Sequence, residues 1–397
     1  MTMLRAPQSK AFSTVIAQQT SLHRTFLQSL NKFLLNFPCA SSRTERNDAV
    51  MKFSSLQFRV LSVAILCSIV PSLHAQTTAT TDPVGFITLP VVGTGGVAQT
   101  ALSFLGLGLT RPVEYQGAAE SFGTNSLVDN DATWTDNQFN GAAGAYFVEI
   151  VSGIAAGTTY DIATTTAATK TITTSQNLAA GVAVGVSFKI RKHWTIASVF
   201  GAANEGGLQG GSSSTADQIL LYNGSIYETY FYSTGGLTGV GWRKNGTGAT
   251  DQSGRVIYPE DGVLTVRKQS AAANIVLMGA VKTGQTSSPV INGLNVLGNV
   301  YAAPMTLADS GLYTADANTG VAGGSSSTAD QVLLYNGTTY DTYFYSTGGL
   351  TGVGWRRNGS GATDFSAAQI PVGSSILIQR KAATGFNWVA PQHPTSI

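Results

Sequence analysis

Thiols, histidines and charges are scarce in this chain of 397 residues, which has two cysteines, four histidines and 11% charged residues. Both cysteines, Cys39 and Cys67, lie within the first 75 residues. The rest of the chain therefore excludes disulfides, cysteine-ligated metals and cysteine nucleophiles. Beyond residue 76 the histidines are His193 and His393, and no serine lies in a nucleophile-elbow pattern. We therefore expect neither a histidine metal site nor a serine hydrolase triad.

Positive charge is concentrated at the N-terminus. Residues 1–75 carry eight lysines and arginines against two acids, whereas residues 76–397 carry 15 against 19. Binding to nucleic acid needs clustered lysine and arginine to neutralise phosphates. The body of the chain has no such cluster, so we expect no nucleic-acid partner.

Residues 51–75 have the three parts of a secretory signal peptide. A short positive segment follows Met51, an apolar stretch spans 60–70, and Ala75 supplies a small residue at the cleavage site. The apolar stretch is shorter than the roughly 20 residues that a membrane helix needs. We predict cleavage between Ala75 and Gln76, and export to the periplasm, the cell surface or the medium. Residues 1–50 are interpreted as an upstream extension, either untranslated or removed; they also resemble an organelle transit peptide in composition.

A near-verbatim internal repeat is the strongest feature of the remaining chain. Residues 210–251 recur at 323–364, and a looser echo relates 104–112 to 296–304. A constant offset across the long repeat indicates that whole modules were copied. The sequence predicts three domains, namely an N-terminal β domain at 76–192, a first β repeat at 193–304 and a second at 305–397.

The local sequence within each copy is typical of β-sheet. Asn-Gly pairs follow β-prone runs at 223–224, 245–246, 336–337 and 358–359, and Asn-Gly tolerates the positive φ angles of tight hairpins. No convincing amphipathic helix follows residue 80. We predict an all-β fold of tandem duplicated modules, β-sandwich or barrel-like, joined by Gly/Ser/Thr-rich turns.

Several segments resemble an uncharacterised family of secreted, internally duplicated β-rich proteins found mainly in verrucomicrobial bacteria. They are the DPVGF start at 82–86, the segments 146–166 and 188–201, and the ADQILLYNG and GWR elements of each repeat. The resemblance implies export and a duplicated β-rich body, and it brings no catalytic residues. The extension ahead of the signal departs from the family pattern and puts the start codon in doubt.

Each repeat carries a matching set of aromatic residues. Flat amphipathic rings on a rigid sheet stack against sugar rings and anchor protein interfaces. The sequence therefore predicts a binding surface, while the competing interpretation makes the tryptophans core residues and the tyrosines cross-strand pairs. The candidates are Tyr222, Tyr227, Tyr230, Tyr232 and Trp242, with their copies Tyr335, Tyr340, Tyr343, Tyr345 and Trp355.

Duplicated acids offer a catalytic alternative, because glycosidases use a pair of carboxyl groups. Several of these acids follow turns, where Asp commonly binds nearby backbone amides, and this structural interpretation is favoured. The acids are Asp217, Glu228 and Asp251, with their copies Asp330, Asp341 and Asp364.

A calcium loop is suggested by Asp129, Asp131 and Asp136. Trp134 and Asn140 stand where an EF-hand needs its sixth-position glycine and twelfth-position acid, so that motif is rejected. A looser Ca²⁺ site and a solvated turn remain as alternatives, and no other cofactor is expected.

Together these features predict a secreted or cell-surface protein without catalytic activity, with a structural, adhesive or polymer-binding role. The expected partners are an extracellular polymer, another envelope protein or a second copy of the chain, with no membrane span in the mature form. Two alternatives are an extracellular carbohydrate-active hydrolase that uses the duplicated Asp/Glu, and a carbohydrate-binding module without hydrolysis.

Overall fold

The computed structural model describes residues 82–96, 99–141 and 144–392. The upstream extension, the signal peptide, the cleavage site and His393 lie outside the described residues. Within the described part of the chain, no helix is both long and apolar enough to cross a bilayer.

The described residues form 25 strands, one five-residue helix and two 3-10 turns. The helix α1 is Ile196–Phe200, and the turns are Gly236–Thr238 and Gly349–Thr351. In chain order the strands are β1 (Val84–Val91), β2 (Ala101–Gly106), β3 (Val113–Ala118), β4 (Ser121–Gly123), β5 (Ser126–Val128), β6 (Tyr146–Ile150), β7 (Thr159–Thr166), β8 (Thr171–Thr174), β9 (Ser187–Lys192), β10 (Trp194–Thr195), β11 (Gln218–Tyr222), β12 (Tyr227–Thr234), β13 (Val240–Lys244), β14 (Val256–Ile257), β15 (Gly262–Arg267), β16 (Ala273–Ala280), β17 (Thr286–Val290), β18 (Gly293–Gly298), β19 (Met305–Thr306), β20 (Gln331–Tyr335), β21 (Tyr340–Thr347), β22 (Val353–Arg357), β23 (Gln369–Ile370), β24 (Ser375–Arg380) and β25 (Phe386–Ala390).

The strands assemble into open antiparallel sheets. Two sheets have five strands, in the orders β13-β12-β11-β15-β2 and β18-β24-β20-β21-β22, and a third has seven, in the order β3-β9-β6-β7-β8-β5-β4. Four two-stranded ladders complete the fold, β1-β16, β10-β14, β17-β25 and β19-β23. The predicted all-β class is confirmed, and among the described residues the modules are sandwich-like and no sheet closes into a barrel.

Strand pairing divides the chain differently from the boundaries expected at 192 and 304. β1 and β2 pair with β16 and β15, so we define module 1 as β1, β2, α1 and β10–β16. Module 2 comprises β17–β25 and has equivalent pairings throughout. The seven-stranded sheet, here called the insert, lies in sequence between β2 and β10. The weak echo of 104–112 at 296–304 relates β2 to β18. In module 2 the strand β18 is followed directly by β19, without an insert.

The hairpins begin and end where the turn chemistry requires. The side-chain oxygen of Asn223 accepts hydrogen bonds from the backbone N–H of Ser225 and of Ile226, at 3.1 and 2.9 Å. Gly224 follows with φ +89°, a conformation that costs glycine little and strains other residues. In the adjoining β11, Ile219 and Leu221 alternate with half-buried residues, so the two faces of the sheet enter different cores.

Four apolar clusters fill the molecule. Modules 1 and 2 and the insert each have a core of their own. The fourth cluster is built from the opposite faces of the two five-stranded sheets, around Phe104 and Leu264 of module 1 and Val296 and Leu377 of module 2. The ring of Phe104 lies 5.1 Å from that of Tyr335. The two five-stranded sheets therefore pack against each other, and neither leaves its second face to solvent.

A buried ion-pair network joins the insert to module 1. Lys189 binds Asp82 at 2.6 Å, and Arg191 pairs with Asp82 and, at 3.2 Å, with Glu149. Lys282 of module 1 pairs with the same Glu149. Buried charges of this kind are costly to leave unpaired, so the network fixes how the insert sits on module 1.

Candidate functional site

The structure places the ten candidate aromatic residues inside the molecule or between its sheets. Trp242, Tyr230 and their copies Trp355 and Tyr343 are buried in the module cores. Tyr232 and Tyr345 are half-buried edge-on to those tryptophans, with ring centroids 5.3 and 5.7 Å apart. The remaining four, Tyr222, Tyr227, Tyr335 and Tyr340, are half-buried in the cluster between the five-stranded sheets. None of the ten is fully exposed, because four are covered by the facing sheet of the other module and six lie in or against the module cores.

The most deeply buried duplicated acids are structural. Asp217 is 2% exposed and accepts hydrogen bonds from Arg267 at 2.8 Å and from the backbone N–H of Lys268 and of Gln209, both at 2.7 Å. Asp330 makes the same three bonds with Arg380, Lys381 and Ala322. Each of these buried carboxylates is therefore held by one arginine and two backbone amides, which is the arrangement of a structural acid.

The other duplicated acids are also paired with cations. Glu228 binds Lys244 at 2.7 Å and Arg255 at 3.1 Å. The hydrogen bond from Lys244 is the main cause that lowers the pKa of Glu228 to about 2. Asp341, Asp251 and Asp364 lie 3.1 to 3.6 Å from arginine side chains. These contacts match the structural interpretation of turn and strand acids.

Two of the three calcium candidates do come together. Ligand oxygens of Asp129 and Asp131 lie within 4.8 Å of each other and of Glu120, which the sequence did not single out. Asp136 instead accepts the backbone N–H of Ala167. Asp129 is already bonded to the Tyr115 hydroxyl at 2.7 Å and to the backbone N–H of Asp131 at 3.0 Å. Burial and this carboxylate raise the pKa of Tyr115. The chain itself thus holds the acids in place.

A cavity of about 530 Å³ lies between the insert and module 1, and we call it the junction cavity. β7 of the insert supplies Asp161, and the link between β9 and β10 supplies His193. Tyr258, which directly follows β14 of module 1, faces them. Asn140, Tyr146 and Thr195 complete the polar part of its wall.

His193, Asp161 and Tyr258 form a hydrogen-bonded group in this wall. His193 Nε2 lies 2.8 Å from one carboxylate oxygen of Asp161, and the Tyr258 hydroxyl donates to the other at 3.1 Å. The imidazole is 2% exposed and lies between the rings of Phe147 and Tyr258, at 4.7 and 5.2 Å. Its second nitrogen, Nδ1, has no hydrogen-bond partner among the described residues.

The electrostatics fix the charge of Asp161 and the protonation of Tyr258. Burial opposes ionisation of Asp161, but hydrogen bonding and the charge of His193, with help from Gln176 and Tyr258, lower its pKa below the usual range. Burial and the charge of Asp161 raise the pKa of Tyr258 to about 12. At neutral pH Asp161 is therefore an ionised acceptor and Tyr258 a protonated donor.

The group lacks the nucleophile that a hydrolase would place beside its histidine. Thr195, which supplies an aliphatic hydroxyl to the cavity wall, is engaged with Ser198 as the N-cap of α1. No described hydroxyl contacts His193 Nδ1. These described residues therefore do not assemble a catalytic triad.

Comparison of the two repeats with each other points to one residue of this site that the sequence predictions missed. The two copies are nearly identical up to Asp251 and Asp364 and then diverge over 254–261 and 367–374. From the matching ladders, Pro371 of module 2 stands at the position of Tyr258, while Pro304, which the sequence echo pairs with Pro112, directly precedes β19 as His193 directly precedes β10. Tyr258 therefore lies where the copies differ, and Asp161 lies in the insert, whereas the residues predicted from the repeat are those that the copies share.

Comparison with protein-family models, curated proteins and solved structures finds no match to this chain.

Proposed function

We propose that this protein is exported and acts without catalysis, binding an extracellular polymer in adhesion or in the structure of the cell envelope. The observation that carries the proposal is the junction cavity, whose wall combines aromatic rings with the hydrogen-bonded group of His193, Asp161 and Tyr258. Pockets of this size that combine ring surfaces with a few fixed polar groups are typical of small-ligand recognition.

The state of the acids supports a binding role over hydrolysis. A glycosidase needs one protonated and one ionised carboxyl group facing a shared substrate. Asp217 and Asp330 are instead bound by arginine and backbone amides, and Glu228 is held ionised by Lys244. The carbohydrate-binding alternative is thereby favoured over the carbohydrate-active hydrolase.

Export rests on the sequence of residues 51–75 and on the family resemblance. Fractionation of cells that express the full chain tests it directly. We expect the protein outside the cytoplasm with an N-terminus at Gln76. A cytoplasmic product that retains Met51 would contradict the proposal.

Binding is tested on a glycan array with the purified full chain, together with an assay for released reducing ends. We expect capture of at least one glycan class with no turnover. Tyr258→Phe should weaken capture, because it removes a donor that orients Asp161, whereas Tyr313→Phe removes a hydroxyl from module 2 and serves as the matched control. Turnover, or equal effects of both variants, would contradict the assignment.

Self-association is a second candidate role, favoured by two exposed loops. Leu237 and Leu350 are fully exposed at the tips of the β12-β13 and β21-β22 hairpins. A buried arginine stiffens each loop, and Arg243 donates to the carbonyls of Thr238 and Val240 at 2.6 and 2.8 Å. Rigid apolar tips lose little entropy when they bind.

Sedimentation velocity over a range of concentrations tests this role. We expect assembly that weakens in the Leu237→Ser and Leu350→Ser double variant, with Ser213→Ala as an exposed control. A monomer at every concentration would remove self-association and leave polymer binding in place.

A further inference from the structure

We infer that Asn245 and Asn358 are modification sites, at which the side-chain amide is exchanged for a carboxyl group by reaction with water through a succinimide ring. The two residues occupy the same loop in modules 1 and 2, directly after β13 and β22. The reaction needs neither a ligand nor a partner, so the inference is independent of the proposed function.

Six asparagines of the chain are followed by glycine, and all six pairs lie among the described residues. Glycine has no Cβ, so its backbone nitrogen can approach the preceding side chain without steric hindrance. The six asparagines share this local chemistry, and what distinguishes them is the fold around each one. They are Asn140, Asn223, Asn245, Asn292, Asn336 and Asn358.

The reaction takes place within the chain. The backbone nitrogen of the glycine bonds to Cγ of the asparagine, and the side-chain nitrogen takes up the glycine N–H proton and leaves as ammonia. A five-membered succinimide ring results. Water then adds to one of the two ring carbonyl carbons and breaks its bond to the ring nitrogen. Opening at Cγ leaves aspartate, and opening at the main-chain carbonyl leaves isoaspartate, so each event consumes one water and releases one ammonia.

Hydrogen bonds hold the two asparagines at the β11-β12 and β20-β21 hairpins. The side-chain oxygen of Asn223 accepts the two backbone N–H groups given above. In module 2 the side-chain oxygen of Asn336 accepts from the backbone N–H of Thr338 and of Thr339, at 3.1 and 2.9 Å. Both bonds must open before Cγ can turn toward the glycine nitrogen, which slows the reaction about 10-fold or more.

Single hydrogen bonds hold two further side chains. Nδ2 of Asn292 donates to the carbonyl of Ala382 at 2.8 Å, and Nδ2 of Asn140 donates to Oδ1 of Asn137 at 3.1 Å. We expect these two asparagines to react at intermediate rates, about 3-fold or more below that of an unrestrained side chain.

The side chains of Asn245 and Asn358 are exposed and make no hydrogen bond among the described residues. The backbone nitrogens of the glycines that follow them are also without a partner in that part of the chain. Each loop turns at its glycine, with Gly246 at φ +82° and Gly359 at φ +78°. The described residues therefore restrain neither the side chain nor the nitrogen that attacks it.

The fold tolerates the product. Residues 245–250 of the first loop are all exposed, so a new carboxylate there stays in water. Each event adds one negative charge beside Lys244 or Arg357, the last residues of β13 and β22. We therefore expect charge variants of the folded protein that carry one and two additional negative charges.

The test incubates the folded full chain in water labelled with heavy oxygen at mildly alkaline pH, because base promotes attack by the backbone nitrogen. Peptide mapping by mass spectrometry then gives the labelled fraction at each of the six sites. We expect Asn245 and Asn358 to react first and at similar rates, and Asn223 and Asn336 to react about 10-fold more slowly or less. Labelled isoaspartate should accompany labelled aspartate at both sites, because a succinimide opens in both directions.

Two controls separate the effect of the fold from that of the sequence. In the urea-denatured chain the six sites should react at similar rates, because the structure no longer distinguishes them. The double variant Asn245→Gln with Asn358→Gln should lose the early charge variants in isoelectric focusing, since glutamine closes the corresponding larger ring slowly. Asn387→Gln changes an exposed asparagine that precedes tryptophan, and this matched control should retain those charge variants.

Three results with the folded chain would overturn the inference. They are equal rates at all six sites, faster reaction at Asn223 or Asn336 than at Asn245 and Asn358, and labelled aspartate without isoaspartate. If Asn245 and Asn358 stay unlabelled under conditions in which the denatured chain reacts, the inference fails as well.

Discussion

Asp217→Asn should destabilise the protein without serving as a catalytic knockout. The substitution keeps the shape of the side chain but removes the negative charge beside Arg267, which is 5% exposed. It also puts an amide donor where the carboxylate accepts two backbone N–H groups, from Gln209 and Lys268. The guanidinium of Arg267 would then be buried without its counter-charge.

Removal of one partner from a buried ion pair costs about 3–5 kcal/mol, and we expect a loss of this size in the free energy of unfolding. Asp330→Asn should cost the same, because Asp330 and Arg380 repeat the arrangement. Asp251→Asn should cost less than about 1 kcal/mol, since its side chain is 64% exposed and lies 3.5 Å from Arg243.

Urea denaturation followed by circular dichroism and tryptophan fluorescence measures these losses. The double variant Asp217→Leu with Arg267→Met should lose less than the sum of its single changes, because it leaves no unpaired charge. The reasoning is refuted if Asp217→Asn is as stable as the unmodified chain, or if the exposed control costs as much.

Three further outcomes follow from individual contacts. Burial is the main cause that raises the pKa of Glu260 to about 7, and neighbouring carboxylates add to it. The stability of the folded state that depends on the neutral carboxyl group is fully present below the ordinary pKa of 4.5 and is lost as the pH rises through about 7. In thermal melts at about pH 8, Glu260→Gln should therefore be more stable than the unmodified chain by an amount on the order of 1–3 kcal/mol. The difference should vanish at about pH 4. No gain in stability at the higher pH would contradict this prediction. Arg243→Lys and Arg356→Lys should each cost about 1–3 kcal/mol in urea, because lysine cannot bridge the loop carbonyls, and unequal losses would show that the loops differ. The lowered pKa of Glu228 contributes stability above its ordinary value of 4.5 that is lost as the pH falls toward about 2, so Glu228→Gln should flatten the acid unfolding curve more than Asp341→Asn, whose arginine lies 3.6 Å away.

Local patterns predicted the class of the fold because they act over a few residues. Asn-Gly at 223–224 and the alternation along β11 specify a hairpin with two different faces, and the structure has both. The same patterns do not state what covers each face. From the sequence, Tyr222 and Tyr227 were therefore predicted to belong to a binding surface, although in the structure the sheet of module 2 packs over them.

The modular boundaries were harder to predict because strand pairing is non-local. β1 pairs with β16 across the whole insert, and no local signal connects Val84 with Ala280. The echo between 104–112 and 296–304 was the available clue, since it relates β2 to β18. In the structure β2 pairs with β15 and β18 pairs with β24, so the echo marks equivalent strands of the two modules.

The junction cavity was missed because its parts are distant in sequence and come from two sheets. Asp161 and Tyr258 are 97 residues apart in sequence, and His193 lies between them in sequence. His193 was judged by the absence of a nearby nucleophile motif, which concerns catalysis and not binding. Divergence between the copies at Tyr258 and Pro371 would have pointed to the same place.

The most direct measurement of the account mixes the purified full chain with insoluble cellulose, chitin and xylan and determines, in each tube, both the protein bound and the reducing ends released. The account predicts that protein leaves the supernatant with at least one of these polymers and that no reducing ends appear above the polymer-only control. Reducing ends that increase in proportion to the protein, or protein that stays in solution with every polymer, would contradict it.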